Sequence, residues 1–198
     1  MKNLINCHVK GLHSFPISLD KNGFYRRIFY ADYNHELHIP FSIAIHPHHV
    51  DIKITVLKGE LTNIIYDKAA TEAPVLFSKF LWNSHILNGN GGFEFIGTEF
   101  LNHKSSKTYK RGDVISMKAC ELHTVYVEKG EVCVWLIEET VPTCEYFPIN
   151  YSLHDLQNWT SDGLYIEADD SVKEAFLSNV DLLQDGKEIL LNQNLTKL

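Results

Sequence analysis

At 198 residues the chain is long enough to fold as one domain with a sizeable core, and 44% hydrophobic with 22% charged residues is the composition of a soluble globular protein. A formal charge of -7 argues against wholesale binding to nucleic acid or anionic membrane, because phosphates need clustered Lys and Arg. No stretch is apolar over the length of a transmembrane helix, and the opening MKNLINCHVKG lacks the apolar run of a signal peptide, so no membrane partner and a cytoplasmic setting are expected.

From residue 23 to 140, short β-type runs alternate with turn signals. In chain order the runs are 24–30, 41–45, 52–57, 61–66, 75–82, 93–100, 114–117, 124–127 and 132–137. Lys58-Gly59, NGNGG (88–92), Arg111-Gly112-Asp113 and Lys129-Gly130 separate them. Many short strands broken by Gly and Asn predict an antiparallel sandwich or barrel. The basic stretch from Lys104 to Arg111 reads as a solvated loop. Before residue 150 no segment carries helical periodicity over three turns.

The composition then shifts. SVKEAFLSNVDLLQDG (171–186) opens with Ser171 and Glu174 at capping-box spacing, and Val172, Phe176, Val180 and Leu183 recur at helical spacing before Gly186. SLHDLQNW (152–159) reads as a shorter helix. The expectation is a single domain over residues 1–198: a β core at about 23–140 and, at about 150–198, a C-terminal helical extension covering it.

Two residue types carry the functional signal. The four cysteines, Cys7, Cys120, Cys133 and Cys144, show no CxxC spacing, so neither a zinc knuckle nor a dense disulfide framework is suggested and a reducing compartment is the default. Cys120 reads as a small buried hydrophobe. Histidine is abundant, 11 of 198. His46 and His48, in the run FSIAIHPHHVDIKITVLKGEL, lie two apart, so in a strand both rings point to one side and can address one ion. Alone this pair is weak, since roughly 0.6 such pairs arise by chance at this histidine frequency. Its context repeats, however: Gly59 follows His48 by eleven residues, and Gly112 precedes His123 by eleven.

With that spacing the chain resembles the cupins, small double-stranded β-helix (jelly-roll) barrels. Against G-x5-H-x-H-x3-4-E-x6-G it reads Pro40, five residues, His46-Pro47-His48, three residues, Ile52, six residues, Gly59. Against G-x5-P-x-G-x2-H-x3-N it reads Gly112, five residues, Lys118-Ala119-Cys120, two residues, His123, three residues, Val127. The match spans about residues 40–137. The resemblance implies that His46, His48 and His123 hold one divalent metal inside the barrel. Ile52 replaces the fourth ligand, a Glu, and Asp51 beside it should turn to the opposite face. Three neutral imidazoles suit Fe(II), Zn, Ni or Cu.

Three histidines without the Glu are similar to the cysteine dioxygenase-like thiol dioxygenases. That likeness implies an Fe(II)-dependent dioxygenase acting on a small carboxylate-bearing substrate, with a thiol as its reacting group. The segment FYRRIFY (24–30) is similar to the one that supplies a carboxylate-binding arginine, which points to Arg27 or Arg26. Alternation turns only one of them inward, and Arg27 is preferred; a half-solvated basic pair is the competing reading. The chain departs from the pattern at Ile137 and Glu139, where that branch carries a substrate-organising His and Tyr. A non-catalytic binding or sensor cupin, or a metal-assisted isomerase or lyase, therefore stays open. A homodimer through a barrel strand is expected by analogy alone. Glu36 and His38 could be ligands but read as exposed polar residues before a strand, His85 and His103 lack partners at ligand spacing, and Phe80, Trp82, Tyr126 and Trp135 fit a core or rim.

Overall fold

The computed structural model of the chain describes residues 2–9, 11–32, 45–68, 74–83, 92–153 and 163–178. Its architecture follows from alternation. In β4 (Asp51–Lys58), Ile52, Ile54 and Val56 are buried while Lys53 is exposed, the period-two pattern of a strand with one face on a core. Gly59 then joins β4 to β5 (Glu60–Asp67) at a φ of 73°, and a Cβ there would collide with the Val132 carbonyl oxygen. Only glycine fits both conditions.

The other strands are β1 (Asn3–Ile5), β2 (Leu12–Leu19), β3 (Tyr25–Asp32), β6 (Val75–Asn83), β7 (Gly92–Lys110), β8 (Val114–Met117), β9 (Leu122–Tyr126), β10 (Val132–Thr140), β11 (Ile149–Ser152) and β12 (Ile166–Ala168). They form two antiparallel sheets, ordered β12-β1-β2-β3-β10-β4-β8 and β11-β6-β7-β5-β9. Residues 45–46 add a short bridge, with Ile45 opposite Tyr151 of β11 and His46 opposite His123 of β9. The chain passes from β3 to this bridge, then through β4 to β10, with β6 an addition beside β7. It thereby interleaves β3-β10-β4-β8 in one sheet with bridge-β9-β5-β7 in the other. That order is the jelly roll, so the expected fold class is the observed one. The barrel core lies between the sheets: Ile52, Ile54, Val56, Ile115, Met117 and Trp135 from one meet Leu61 and Val127 around the other.

Strand β10 explains the position of the helix. Its run Cys133–Ile137 is buried on both faces, because it sits between β3 and β4 and is covered from behind. Trp135 and Ile137 face the barrel, whereas Val134 and Leu136 join Phe15, Ile28, Tyr30 and Leu57 on the outer face. There α1 (Asp170–Ser178) lays Phe176 and Leu177 on that cluster, and Lys173 Nζ donates to the Pro16 carbonyl at 2.8 Å.

Several expectations are corrected. The β structure begins before residue 23: β2 joins the larger sheet, and Pro16 stands where the β2–β3 register shifts. The stretch read as a loop at 104–111 belongs largely to β7, whose second half is an outer edge paired only to β5. Exposed edges favour lysine over apolar side chains, which hid the strand from a hydrophobicity reading. The helix begins at Asp170, and the Asp169 carbonyl takes the amides of Val172 and Lys173 at 3.1 and 3.4 Å, so Ser171 lies inside the first turn instead of capping it. Cys120 is exposed and forms a disulfide with Cys144, which removes the cysteine argument for a reducing compartment. Ser152, read as the start of a short helix, instead ends β11, while residues 154–159, most of 41–45 and the end of the 171–186 helix fall outside the described residues. Among the described residues, no helix is long and apolar enough to cross a membrane.

Candidate metal centre

Backbone pairing brings the histidines together. The His46 amide donates to the His123 carbonyl at 3.0 Å and the His46 carbonyl accepts the His123 amide at 3.1 Å, so the two side chains stand directly opposite on one face. His48, two residues on, keeps the same face, and its amide is anchored on the Ala119 carbonyl at 3.0 Å. Ring centroids are 5.0 Å apart for His46–His48, 5.0 Å for His46–His123 and 4.8 Å for His48–His123. One ring nitrogen from each lies within 4.8 Å of the others. Two nitrogens held tetrahedrally by one ion at about 2.1 Å stand about 3.4 Å apart, so the widest pair must close by about 1.4 Å. The donor set fits a divalent cation.

Proton placement supports the same use. Asn63 of β5 accepts from His123 Nδ1 through Oδ1 at 2.7 Å, while its Nδ2 is turned to Met117 Sδ at 3.6 Å. The amide orientation assigns the His123 proton to Nδ1 and leaves Nε2 with its lone pair on the cavity side. His48 Nε2 is 2.7 Å from that nitrogen. Burial holds the pKa values of both His48 and His123 well below the usual imidazole range, and repulsion from neighbouring histidines lowers them further. Both rings are therefore neutral at neutral pH, the form that binds metal. The contact from Asn63 to the second nitrogen of His123 is the kind of contact that orients ligand histidines in metal sites.

The centre opens on a cavity of about 160 Å³, with His46, His48 and His123 on its wall among apolar residues such as Ile52, Ile54 and Trp135. That is near the size of a cavity that accepts benzene. Trp135 is fixed by Phe29, stacked at 5.7 Å and 9°. His49 is exposed at the mouth, 6.3 Å from the ring of Tyr146.

The remaining sequence candidates divide cleanly. Arg27 lines the cavity, but its Nε donates to Ser14 Oγ at 2.7 Å and its Nη2 to the Lys2 carbonyl at 3.2 Å. Nη1 has no partner among the described residues. Arg26 faces the other side of β3 and pairs with Glu138 at 3.2 Å. Ile137 and Glu139 line the cavity, and Glu139 Oε2 accepts the Tyr25 amide at 3.0 Å. Asp51 points away from the centre, as alternation requires: it accepts the amides of Ala119 and Thr143 at 2.9 and 3.1 Å and the Thr143 hydroxyl at 2.7 Å. The Thr143 hydroxyl is the main cause of its lowered pKa. His103 is exposed and bonded to Ser106 Oγ at 2.6 Å. Glu36, His38 and His85 lie outside the described residues. The thiols of Cys7 and Cys133, buried and pushed up to about 12, are inert.

Sequence reasoning missed Asn63 and His8. Asn63 is a polar residue at an inward position of β5, a signal that was available once that strand was placed. His8 stacks on His46 with centroids 4.4 Å apart and 16° between planes, and nothing in its local sequence marks it.

Fold and site together define a jelly-roll barrel with a cluster of three histidines whose nitrogens could hold a metal ion. No protein-family model matches the chain, and no curated protein matches it. Among solved structures it is similar to hydroxypropylphosphonic acid epoxidase from S. wedmorenis, at 9% identity over 70% of this chain and 55% of that one, TM-score 0.42. It is also similar to polyketide cyclase RemF from Streptomyces resistomycificus (14% identity, 75% and 78% covered, TM-score 0.39). A cupin-like protein of Thermotoga maritima is alike at 12% identity, 74% and 80% covered, TM-score 0.37. These are likenesses of chain trace alone.

Proposed function

We propose that the protein is a metal-binding cupin whose His46, His48 and His123 hold one Fe(II) for a dioxygenase reaction on a small carboxylate-bearing substrate, with a thiol as the reacting group. The observation that carries this reading is the convergence of three imidazoles, His48 and His123 held neutral by burial, on the wall of a small, mostly apolar cavity, with His123 oriented by Asn63. Three imidazoles leave coordination positions open, and a bound Fe(II) would supply the activation of dioxygen there. The chain's own residues do the rest. Ile52, Ile54 and Trp135 exclude water from the reacting atoms, and the cavity limits the substrate to about benzene's size. Arg27, held rigid through Ser14 and the Lys2 carbonyl, presents Nη1 as the donor for a carboxylate.

A second reading has a specific observation in its favour. Glu139 brings its own carboxylate to the cavity that Arg27 lines, and Ile137 offers no polar group. A binding or sensor protein with little catalysis would tolerate both.

Metal analysis of protein purified without chelator, followed by oxygen uptake with cysteine and 3-mercaptopropionate, separates the readings. About one iron per chain with thiol-dependent uptake is expected, and His48→Ala should lose the metal while keeping the β-sheet circular dichroism of the parent. Zinc or no metal with no uptake supports the binder, and stoichiometric iron in His48→Ala removes the ligand assignment.

A further inference from the structure

Among the described residues, three that are not glycine have a left-handed backbone: Asn6 at φ 57°, His8 at 62° and Tyr165 at 52°. All three meet at one corner beside the histidine cluster. Asn6 ties the corner together, since its Nδ2 donates to the Gly163 carbonyl at 2.9 Å, its Oδ1 accepts the Gly11 amide at 3.0 Å, and its own carbonyl accepts the Tyr165 amide at 3.0 Å. Asparagine and histidine visit this region with modest difficulty, but a tyrosine there is uncommon. Strain of this kind persists only where the surroundings over-determine it, and it gathers at functional sites.

The corner delivers one result, a histidine ring laid flat on a proposed metal ligand. His8 lines the cavity, its ring parallel to His46 at 4.4 Å and 16°. Behind it the Tyr165 hydroxyl contacts His8 Nδ1 at 2.9 Å, and the tyrosine ring meets the His8 ring edge-on at 5.5 Å and 72°. Tyr165 is 4% exposed, and burial raises its pKa well above the usual phenol range, so it keeps its proton. The hydroxyl thus donates to Nδ1 and fixes His8 as the tautomer with its proton on Nε2. Trp82 closes the far side, stacked on Tyr165 at 6.4 Å and 27°.

We propose that His8, clamped by Tyr165, is a positioning residue for the metal centre: its ring is the plate against which His46 lies, holding that ligand's ring plane ready for the ion. The inference rests on the reading of the three histidines as a metal site. An imidazole that turns freely must be ordered before it can bind, so a ligand held in place gains affinity without any new bond to the metal. The effect belongs to the ring plane, and the hydroxyl acts only by holding His8 there.

Cobalt(II) and zinc(II) affinity, measured on the full chain by competition with a chromophoric chelator, tests the proposal, with the Co(II) ligand-field spectrum reporting geometry. His8→Ala should weaken binding by about tenfold or more and shift the cobalt bands, in the range usual for residues that orient ligands. His8→Phe keeps a flat ring and should stay within about threefold of the parent, with Tyr165→Phe between the two. Equal affinity and identical spectra in all three overturn the proposal, as does a His8→Phe protein no better than His8→Ala. Lower thermal stability with unmoved cobalt bands also overturns it, because that is the mark of a purely structural residue. If His8→Ala does not fold, Tyr165→Phe carries the test by the same two readouts. A parent protein that binds neither metal sinks the metal centre itself, an outcome distinct from variants that match a binding parent.

Discussion

Asn63 shows how much one buried amide can specify. Its Oδ1 takes the Nδ1 proton of His123 and its Nδ2 rests against Met117 Sδ, so both ends of the amide are committed and the imidazole has one tautomer. Asn63→Leu preserves the approximate volume but leaves His123 Nδ1–H buried without an acceptor, a cost of about 1–3 kcal/mol. Because the freed ring can also rotate, zinc affinity should fall by about tenfold to a hundredfold. Competition titration measures this, and an unchanged affinity would mean that His123 is oriented by something else. His46, His48 and His123 were legible in the sequence because period two and the glycine frames depend on neighbours along the chain. Asn63 and His8 were not, because what makes them matter is a partner 60 residues away for one and 38 for the other (His8 to His46).

At the scale of elements, β10 and α1 explain each other. A strand apolar on both faces needs two covers, and α1 supplies the second by placing Phe176 against His13, 4.4 Å between centroids, and against Phe15 and Tyr30 at 5.7 and 5.0 Å. His13 accepts the Asn6 amide through Nδ1 at 3.3 Å, a bond only the neutral ring can make. Burial lowers its pKa from 6.5 to about 4, against a small opposing pull from Asp32. The folded state therefore favours the unprotonated ring. This contribution is complete above pH 6.5 and is lost as pH falls through about 4, since the unfolded chain takes up the proton first. Thermal midpoints should decline between those pH values, and His13→Phe, which keeps the ring stack and cannot titrate, should decline less. Parallel curves for the two proteins would show that His13 carries none of the pH dependence. The sequence revealed β4, β5, β6 and β10 through apolar alternation or runs, and it concealed the outer half of β7, where exposed polar side chains hang on a backbone ladder. Helix α1 was legible from its Phe176 face, while its start was displaced because Asp169 took the role assigned to Ser171.

For the molecule as a whole, the segment that precedes β9 is tied down from three directions. The Cys120–Cys144 disulfide joins it to the chain after β10, Asp51 of β4 binds Ala119 and Thr143 on either side of that bond, and Ala119 receives the His48 amide. These ties set the spacing between the strand that carries His123 and the segment that carries His46 and His48. The disulfide was invisible in the sequence because Cys120 and Cys144 are 24 residues apart in loops whose approach only the folded sheets define. The central claim is that this scaffold brings three imidazoles to one ion. Anomalous diffraction from crystals of the metal-loaded protein tests it most directly. The account predicts a single strong peak within about 2.2 Å of one ring nitrogen from each of His46, His48 and His123. A peak elsewhere, or a centre that His123 does not reach, would contradict it.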